Sequence, residues 1–243
     1  MDGDLHADER AELNQKYQEL AALAGGLAHE IRNPLSTIQM NLDLLFEELE
    51  ASEDPTKHRT LRRLKTIQDQ CENLDGTLEA FLQFARAGQL NLEEVDLGVV
   101  VTDFLEFYKA EAAEHHIDVR PHLRSNLPTV MLDVRLMTQV LTNLFRNAQQ
   151  AMPDGGLIEL QTSQDADSVV LEIIDTGCGM APAALAKIFD VFFSTKPQGS
   201  GLGLPTVRKI VEVHGGGIEC ESEVGRGTKF RLEFPIAQGA PNQ

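Results

Sequence analysis

The sequence predicts two structural parts: an all-α antiparallel helical hairpin that pairs with a second copy as a dimeric four-helix bundle, followed by an α+β sandwich. Two observations predict this division. Apolar residues recur every three or four positions through residues 16–88, as in bundle helices. From residue 91, short β-branched runs alternate with helical patterns. We therefore expect a helical domain at 16–88 and an α+β domain at 91–237, with a lead-in at 1–15 and a tail at 238–243.

Composition restricts the possible functions before any motif is considered. The chain has 243 residues and a net charge of −17, which argues against nonspecific binding to nucleic acid or to anionic membranes. Its three cysteines are widely spaced, so neither a disulfide framework nor a zinc site is indicated. No run approaches the roughly 18 apolar residues of a membrane span. We expect a cytoplasmic protein with no membrane segment in this chain and no nucleic-acid partner.

The helical part begins with a long helix, expected from about residue 16 to residue 50. The run Ala51–Pro55 interrupts the pattern, and Pro55 suits the first turn of a second helix that ends near Gly88. Two long amphipathic helices joined by a short connection form an antiparallel hairpin. Its apolar seam is too wide for one hairpin to bury, and a homodimer is the simplest way to cover it.

The second part is read element by element from residue 91. Strands are expected at 92–97, 117–123, 130–132, 157–162, 169–174, 218–222 and 228–234. Helices are expected at 99–113, from the cap Asp133 to Met152, near 182–188 and at 202–214. Hairpin pairs mixed with helices favour a mixed sheet with its helices on one face.

The heptapeptide His29-Glu30-Ile31-Arg32-Asn33-Pro34-Leu35 lies inside the first helical pattern. At about 100° per residue, His29 points about 160° away from the middle of the apolar stripe, so it is not a core histidine. Asn33 lies one turn later and shares that outer face, and Glu30 is adjacent. The pattern predicts an imidazole on the outside of a bundle, available to chemistry delivered from outside the helix.

Three motifs in the second part are typical of a phosphate-containing ligand. Asn143 and Asn147 are four residues apart on one helix, where amide oxygens can coordinate Mg²⁺. The run Asp175-Thr176-Gly177-Cys178-Gly179 follows an apolar strand, and its carboxylate can accept a hydrogen bond from an exocyclic amine while the glycines admit a flat base. The run Gly199-Ser200-Gly201-Leu202-Gly203 leads into a helix whose N-terminus can bind phosphate. Each motif alone is weak evidence.

Together, in this order, the motifs resemble those of sensor histidine kinases. HEIRNPL resembles their H box, and NLFRNA, DTGCGM, IFDVFFSTK and GSGLGL resemble their N, G1, F and G2 boxes, over roughly residues 20–236. The resemblance implies a dimerisation and histidine-phosphotransfer hairpin followed by an ATP-binding domain of the Bergerat type. Pro205 stands where the family more usually has a small residue.

The resemblance also implies a role for individual residues. His29 matches the phospho-acceptor, Glu30 its proton acceptor, and Asn33 the residue that orients water for dephosphorylating the partner. Residues implied to bind ATP are Asn143, Asn147, Asp175, Gly177, Gly179, Lys196, Gly199, Gly201, Gly203 and Thr228. Of these, Asn147 is the implied Mg²⁺ ligand and Asp175 the residue that reads the adenine amino group.

The implied activity is ATP-dependent autophosphorylation of His29, followed by transfer to an aspartate of a response-regulator receiver domain. The resemblance leaves open whether the chain also dephosphorylates that partner. Two other classes remain at this stage. A plain ATPase of the same superfamily would have no need of the HEIRNPL helix, and a noncatalytic dimeric scaffold would have no need of intact nucleotide motifs.

Overall fold

The computed structural model describes residues 31–33, 35–47, 49, 57–86, 90–196 and 199–237. These residues divide into a helical unit and an α/β unit, with the main boundary after Arg86. His29 and Glu30 lie outside the described residues, as do Pro34 and the expected lead-in and tail. The described helices include none long and apolar enough to span a membrane.

The helical unit contains α1, whose described residues are 31–33, 35–47 and 49, and α2. The remaining elements belong to the α/β unit. Their bounds, with that of α2, are α2 Lys57–Arg86, β1 Glu93–Val95, α3 Leu97–Glu114, β2 Ile117–His122, β3 Val130–Leu132, α4 Val134–Ala151, β4 Gly156–Asp165, β5 Ser168–Asp175, α5 Pro182–Leu185, α6 Gly203–Val213, β6 Gly217–Glu223 and β7 Gly227–Pro235.

Helices α1 and α2 bury apolar side chains at heptad spacing. Leu35 and Leu42 of α1 are seven residues apart, as are Leu64, Cys71 and Leu78 of α2, and all five are buried. A repeat of seven keeps one row of side chains facing a neighbouring helix. The seam expected from the apolar periodicity is therefore present between these helices.

The α/β unit is built on a five-stranded sheet in the order β2-β4-β5-β7-β6. Strands β2 and β4 are parallel, and the other neighbours are antiparallel. Side chains from α3, α4 and α6 share one buried apolar cluster with alternate positions of the strands. The other side of β7 carries ion pairs instead, including Lys229 with Glu221 and Arg231 with Asp165. A mixed sheet with helices on one face confirms the predicted fold class of this unit.

Two details differ from the sequence expectation. The first strand ends at Val95 rather than at Leu97, because Asp96 caps α3 by accepting a hydrogen bond from the Gly98 N–H at 2.7 Å. Strands β1 and β3 form a separate antiparallel pair outside the main sheet. Residue propensity did not reveal either feature, since the cap competes locally with the strand and the pairing is long-range.

A buried polar network joins the ends of α4 and α6. The Asp133 N–H donates to Nε2 of His214 at 2.9 Å, so the His214 proton is on Nδ1, which donates to the Ile210 carbonyl at 2.7 Å. The Asp133 carboxylate accepts from the N–H groups of Leu136 and Asn91. His214 therefore connects the end of α6 to the residue that caps α4.

Burial sets the charge states of this network. It lowers the pKa of His214, outweighing the Ile210 carbonyl and the Asp133 carboxylate, which raise it. For Asp133, burial alone raises the pKa, but hydrogen bonds from the N–H groups of Asn91 and Leu136 and the positive charge of Arg135 outweigh it, so the pKa is lowered. The folded state therefore holds a neutral imidazole beside an ionised carboxylate.

We predict an acid-dependent loss of stability that depends on His214. Because its folded pKa lies below the ordinary value of 6.5, its stabilising contribution is complete above that value and is lost as the pH falls through the folded pKa. His214→Asn should lower the free energy of unfolding by about 1–2 kcal/mol near neutral pH and lessen the pH dependence below it. Denaturant melts followed by circular dichroism would measure both. The exposed His122→Asn is the matched control, and an equal effect of that variant would contradict the prediction.

Candidate functional site

Asp175 is the centre of the candidate site, at the last position of β5. It is buried, and its Oδ1 accepts hydrogen bonds from the N–H of Gly177 at 2.8 Å and of Thr228 at 3.2 Å. Thr228 is also its register partner on β7. Two backbone donors from different segments fix the orientation of the carboxylate. The structure thus brings together three of the residues that the motifs indicated.

The glycines beside Asp175 are required by the packing of the loop itself. A Cβ on Gly177 would lie 2.6 Å from the Cβ of Ala151, and one on Gly179 would overlap the Glu223 carbonyl. Gly179 also has a φ of 65°, which favours glycine. The sequence suggested that these glycines admit a flat base, and this stays a prediction. The contacts show a further reason for glycine, which is close packing of the loop against α4 and the β6–β7 turn.

Ser222 supports this loop and was missed by the motif analysis. Its Oγ accepts from the Met180 N–H at 2.9 Å and donates to the Gly227 carbonyl at 2.9 Å. Since that donation uses its only proton, the Thr228 hydroxyl donates to Ser222 across 3.0 Å. The period-two pattern of β6 would have placed Ser222 on its inward side, and this was the available signal.

One face of α4 contacts both the start of α6 and the loop that follows Asp175. Asn143, Asn147 and Ala151 are spaced by four residues along it. At one end, Oδ1 of Asn143 lies 3.8 Å from the position that a Cβ on Gly203 of α6 would occupy. At the other end, the Ala151 carbonyl accepts a hydrogen bond from the Cys178 N–H at 3.0 Å. Eight residues of helix span about 12 Å. Asn147 therefore lies on α4 between the contact with α6 and the contact with the Asp175 loop.

The N-terminus of α6 is suited to anions. The helix starts at Gly203, and the residue before it, Leu202, has no side chain that can cap the first turn. The backbone N–H groups of the first turn of α6 and the positive end of the helix dipole are typical of phosphate-binding sites. The preceding Gly201 has a φ of 67° and packs directly on the backbone of Phe192, whose N–H donates to the Gly201 carbonyl at 3.0 Å.

The remaining indicated residues are described by their local contacts. The Gly199 N–H donates to the Lys196 carbonyl at 3.2 Å. Asn33 belongs to the helical unit, where it is exposed and its carbonyl accepts from the Thr37 hydroxyl at 3.1 Å. His29 and Glu30 are outside the described residues.

The donor groups fit a magnesium nucleotide. Within the described ranges, no group of three or more His, Cys, Asp or Glu side chains could hold a metal ion. The amide oxygens of Asn143 and Asn147 are of a type that can bind Mg²⁺ when phosphate oxygens and water complete the coordination. The oriented Asp175 carboxylate suits an exocyclic amine, and the first turn of α6 suits phosphates. The Asp175 carboxylate thus suits the base of a nucleotide, and the N–H groups of α6 suit its phosphates.

Comparison with known proteins decides the family. Residues 19–90 match the His Kinase A (phospho-acceptor) domain, and residues 132–238 match the "Histidine kinase-, DNA gyrase B-, and HSP90-like ATPase" family. Together these matches account for most of the chain. The chain belongs to the histidine kinases. This confirms the family indicated by the five sequence boxes, and it makes the α/β unit the ATP-binding domain of a histidine kinase.

Similar histidine kinases include longer proteins. Sensor histidine kinase ZraS of Escherichia coli (strain K12) is 34% identical over 222 residues, which are 91% of this chain and 47% of ZraS. Full-length ShkA, solved in complex with AMPPNP, is 29% identical with a TM-score of 0.69 over 91% of this chain and 47% of that one. Histidine kinase ThkA, solved in complex with response regulator protein TrrA, shares the fold at 24% identity, with a TM-score of 0.65 over 96% and 67% of the two chains. The chain spans about half the length of the curated relatives it matches.

We predict that Asn147→Asp weakens the binding or turnover of Mg·ATP steeply, by at least about tenfold, because it adds negative charge where we expect the triphosphate to bind. Calorimetry with Mg·ATP would measure this, with sedimentation to check that the assembly state persists. Thr142→Asp, which adds the same charge on the exposed side of α4, is the matched control. Near-normal turnover of Asn147→Asp would show that the metal lies elsewhere.

Proposed function

We propose that this histidine kinase phosphorylates its own His29 with ATP and transfers the phosphoryl group to an aspartate of a response-regulator receiver domain. The observation that carries the proposal is the placement of Asn147 on α4 between the Asp175 loop and the N-terminus of α6. The arrangement offers, in order along α4, the Asp175 carboxylate for a base, the amide oxygen of Asn147, and the N–H groups of α6 for phosphates. A plain ATPase would use the same arrangement, but it would not need the HEIRNPL segment that precedes it.

In the nucleotide-bound state, Asp175 accepts a hydrogen bond from the adenine amino group, beside the loop of Gly177 and Gly179 and the hydroxyl of Thr228. Asn147 and Asn143 would hold Mg²⁺ and the triphosphate, and the bound ion would supply positive charge close to the phosphoryl group that is transferred. The glycine-rich segment covers the phosphates with Lys196, Gly199, Gly201 and Gly203. These assignments follow the resemblance and the donor geometry described above.

The transfer itself exchanges one bond for another. The neutral imidazole of His29 attacks the γ-phosphorus, so an N–P bond forms while the bond to the ADP oxygen breaks. Glu30 takes the proton from the other imidazole nitrogen, which keeps the phosphorylated ring neutral. A receiver-domain carboxylate then attacks the same phosphorus, and His29 is regenerated. Asn33, which is exposed on α1, is our candidate for orienting water when the partner is dephosphorylated.

A homodimer follows from the half-buried seam of the hairpin. On α1, Ile38 and Leu45 are 45% and 43% exposed, and on α2, Ile67 and Leu74 are 46% and 50% exposed. Each pair is seven residues apart, next to the buried heptad row of its own helix. An unburied apolar heptad row on both helices needs a second helical pair, and a second copy of this chain supplies the same rows. We therefore propose a four-helix bundle of two chains.

The receiver domain is expected to dock on the opposite side of α1. Met40 and Leu44 are 60% and 53% exposed, and their spacing from Asn33 places all three on one helix face, away from Leu35 and Leu42. Exposed apolar side chains beside a reactive group are typical anchors for a partner. ThkA, which shares this fold, was solved with a response regulator, and this is the class of partner we propose. We propose that the reaction takes place in the cytoplasm, where ATP is available.

The test of the activity is a radiolabel chase with γ-labelled ATP on the wild-type chain and His29→Gln. We expect acid-labile label on the wild-type protein, none on His29→Gln, and ATP affinity of the variant within a few-fold of wild type, since the acceptor is not part of the nucleotide site. His58→Gln, an exposed histidine on α2, is the control. Released phosphate without labelled protein would indicate a plain ATPase, and neither product would indicate a scaffold.

We predict that Met40→Glu with Leu44→Glu slows phosphotransfer to a receiver domain that the wild-type chain phosphorylates, by about tenfold or more, without slowing autophosphorylation. Ile38→Glu, on the seam side of the same helix, should instead weaken dimerisation. Transfer rates and sedimentation of the same samples separate the two effects. Normal transfer by the Met40/Leu44 variant would place the receiver domain on another surface.

A further inference from the structure

Arg32 connects α1 to α2 through two carboxylates. Its Nε lies 3.1 Å from Oδ1 of Asp75, and its Nη2 lies 2.8 Å from Oε2 of Glu79. The two acidic residues are one turn apart on α2, so each occupies a different donor of the planar guanidinium fork. In sequence, Arg32 comes three residues after His29.

The apolar seam is divided at this level of the hairpin. The buried side chains described in α1 and α2 form two clusters, one containing Leu78 and Leu82 and the other containing Leu42 and Leu64. Ile31, next to Arg32, is only partly buried and packs against both. Asp75 lies in sequence between Cys71 of one cluster and Leu78 of the other. The ion pairs therefore connect the helices where one apolar side chain bridges two separate clusters.

This arrangement is poorly explained by stability. The side chains of Arg32, Asp75 and Glu79 are 40%, 44% and 49% exposed, and exposed ion pairs contribute little to folding. Asp75 and Glu79 also repel each other on one face of α2, which disfavours the helix unless a cation lies between them. A fork with fixed geometry does, however, restrict rotation of α1 about its own axis.

We propose that Arg32 is a positioning residue for autophosphorylation. Its ion pairs with Asp75 and Glu79 fix the rotation of α1 about its own axis, and with it the direction of the segment that carries His29. This rests on the proposed function, with His29 as the acceptor. In-line attack needs the imidazole aligned with the γ-phosphorus, and small misplacements of reacting atoms cost large factors in rate. Both ion pairs leave the reacting atoms untouched, so the effect of Arg32 is expected in the rate of transfer and not in ATP binding.

The experiment removes the ion pairs of Arg32 from each side in turn. Arg32→Gln removes the cation, and the double variant Asp75→Asn with Glu79→Gln removes both acceptors while leaving Arg32 in place. We expect each to lower the autophosphorylation rate by about tenfold, with the KM for ATP, the melting temperature and the dimer essentially unchanged. Lys65→Gln, which breaks the exposed Lys65–Asp69 pair elsewhere on α2, should leave the rate unchanged.

Two further variants make the outcome decisive. Arg32→Lys keeps the charge but loses the planar fork, and it should remain slow, whereas Arg32→Glu combined with Glu79→Arg should recover part of the rate. If the Asp75/Glu79 variant phosphorylates at the wild-type rate while Arg32→Gln is slow, Arg32 acts directly at the phosphoryl group and the positioning role is wrong. Wild-type rates in both would also overturn it. Failure of the proposed function is distinguished by absence of acid-labile label on the wild-type chain itself.

Discussion

The Asp175 carboxylate is the interaction on which the rest of the nucleotide site depends. Its Oδ1 is shared between the loop that starts at Gly177 and the strand that starts at Gly227, so one side chain holds its own loop to a strand residue, Thr228, that lies 53 positions further along the chain. Ser222 then links the Met180 backbone to the same strand. A buried carboxylate is costly unless it is hydrogen-bonded, and here the bonds that satisfy it also shape the loop. The group proposed to recognise adenine is therefore also the group that orders its surroundings.

Helix α4 provides the frame for the other groups. Its start is held by Asp133, which caps the helix and bonds His214 at the end of α6. Its far end accepts the Cys178 N–H through Ala151. Because both ends are tied to segments that carry other motifs, the positions of Asn143 and Asn147 follow from helical geometry alone. The Asp133–His214 contact also makes this frame sensitive to acid, since only the neutral imidazole can accept the Asp133 N–H.

Local sequence was sufficient for most of the elements and insufficient for their exact ends and supports. The spacing of apolar residues predicted α2, the cap residue Asp133 predicted the start of α4, and short β-branched runs beside turn residues predicted the strands β4, β5, β6 and β7. The end of β1 was predicted two residues too late, because the carboxylate of Asp96 caps α3 and so favours the start of that helix over continuation of the strand. Ser222 was missed because a serine in a strand has no distinctive local pattern, and its role comes from contacts with Met180 and Thr228.

The sequence by itself determined the fold class, the family and the identity of the motif residues, because helical and strand periods and glycine positions are local properties of the chain. Tertiary structure decided which residues share a contact. Only the folded chain puts Thr228 on Asp175, Gly203 beside Asn143 and Glu79 on Arg32. It also decided why Gly177 and Gly179 are glycines, since the space denied to a Cβ is taken by Ala151 and Glu223. The physical reason is that hydrogen bonds and close packing join segments far apart in sequence, and no local period encodes these pairings.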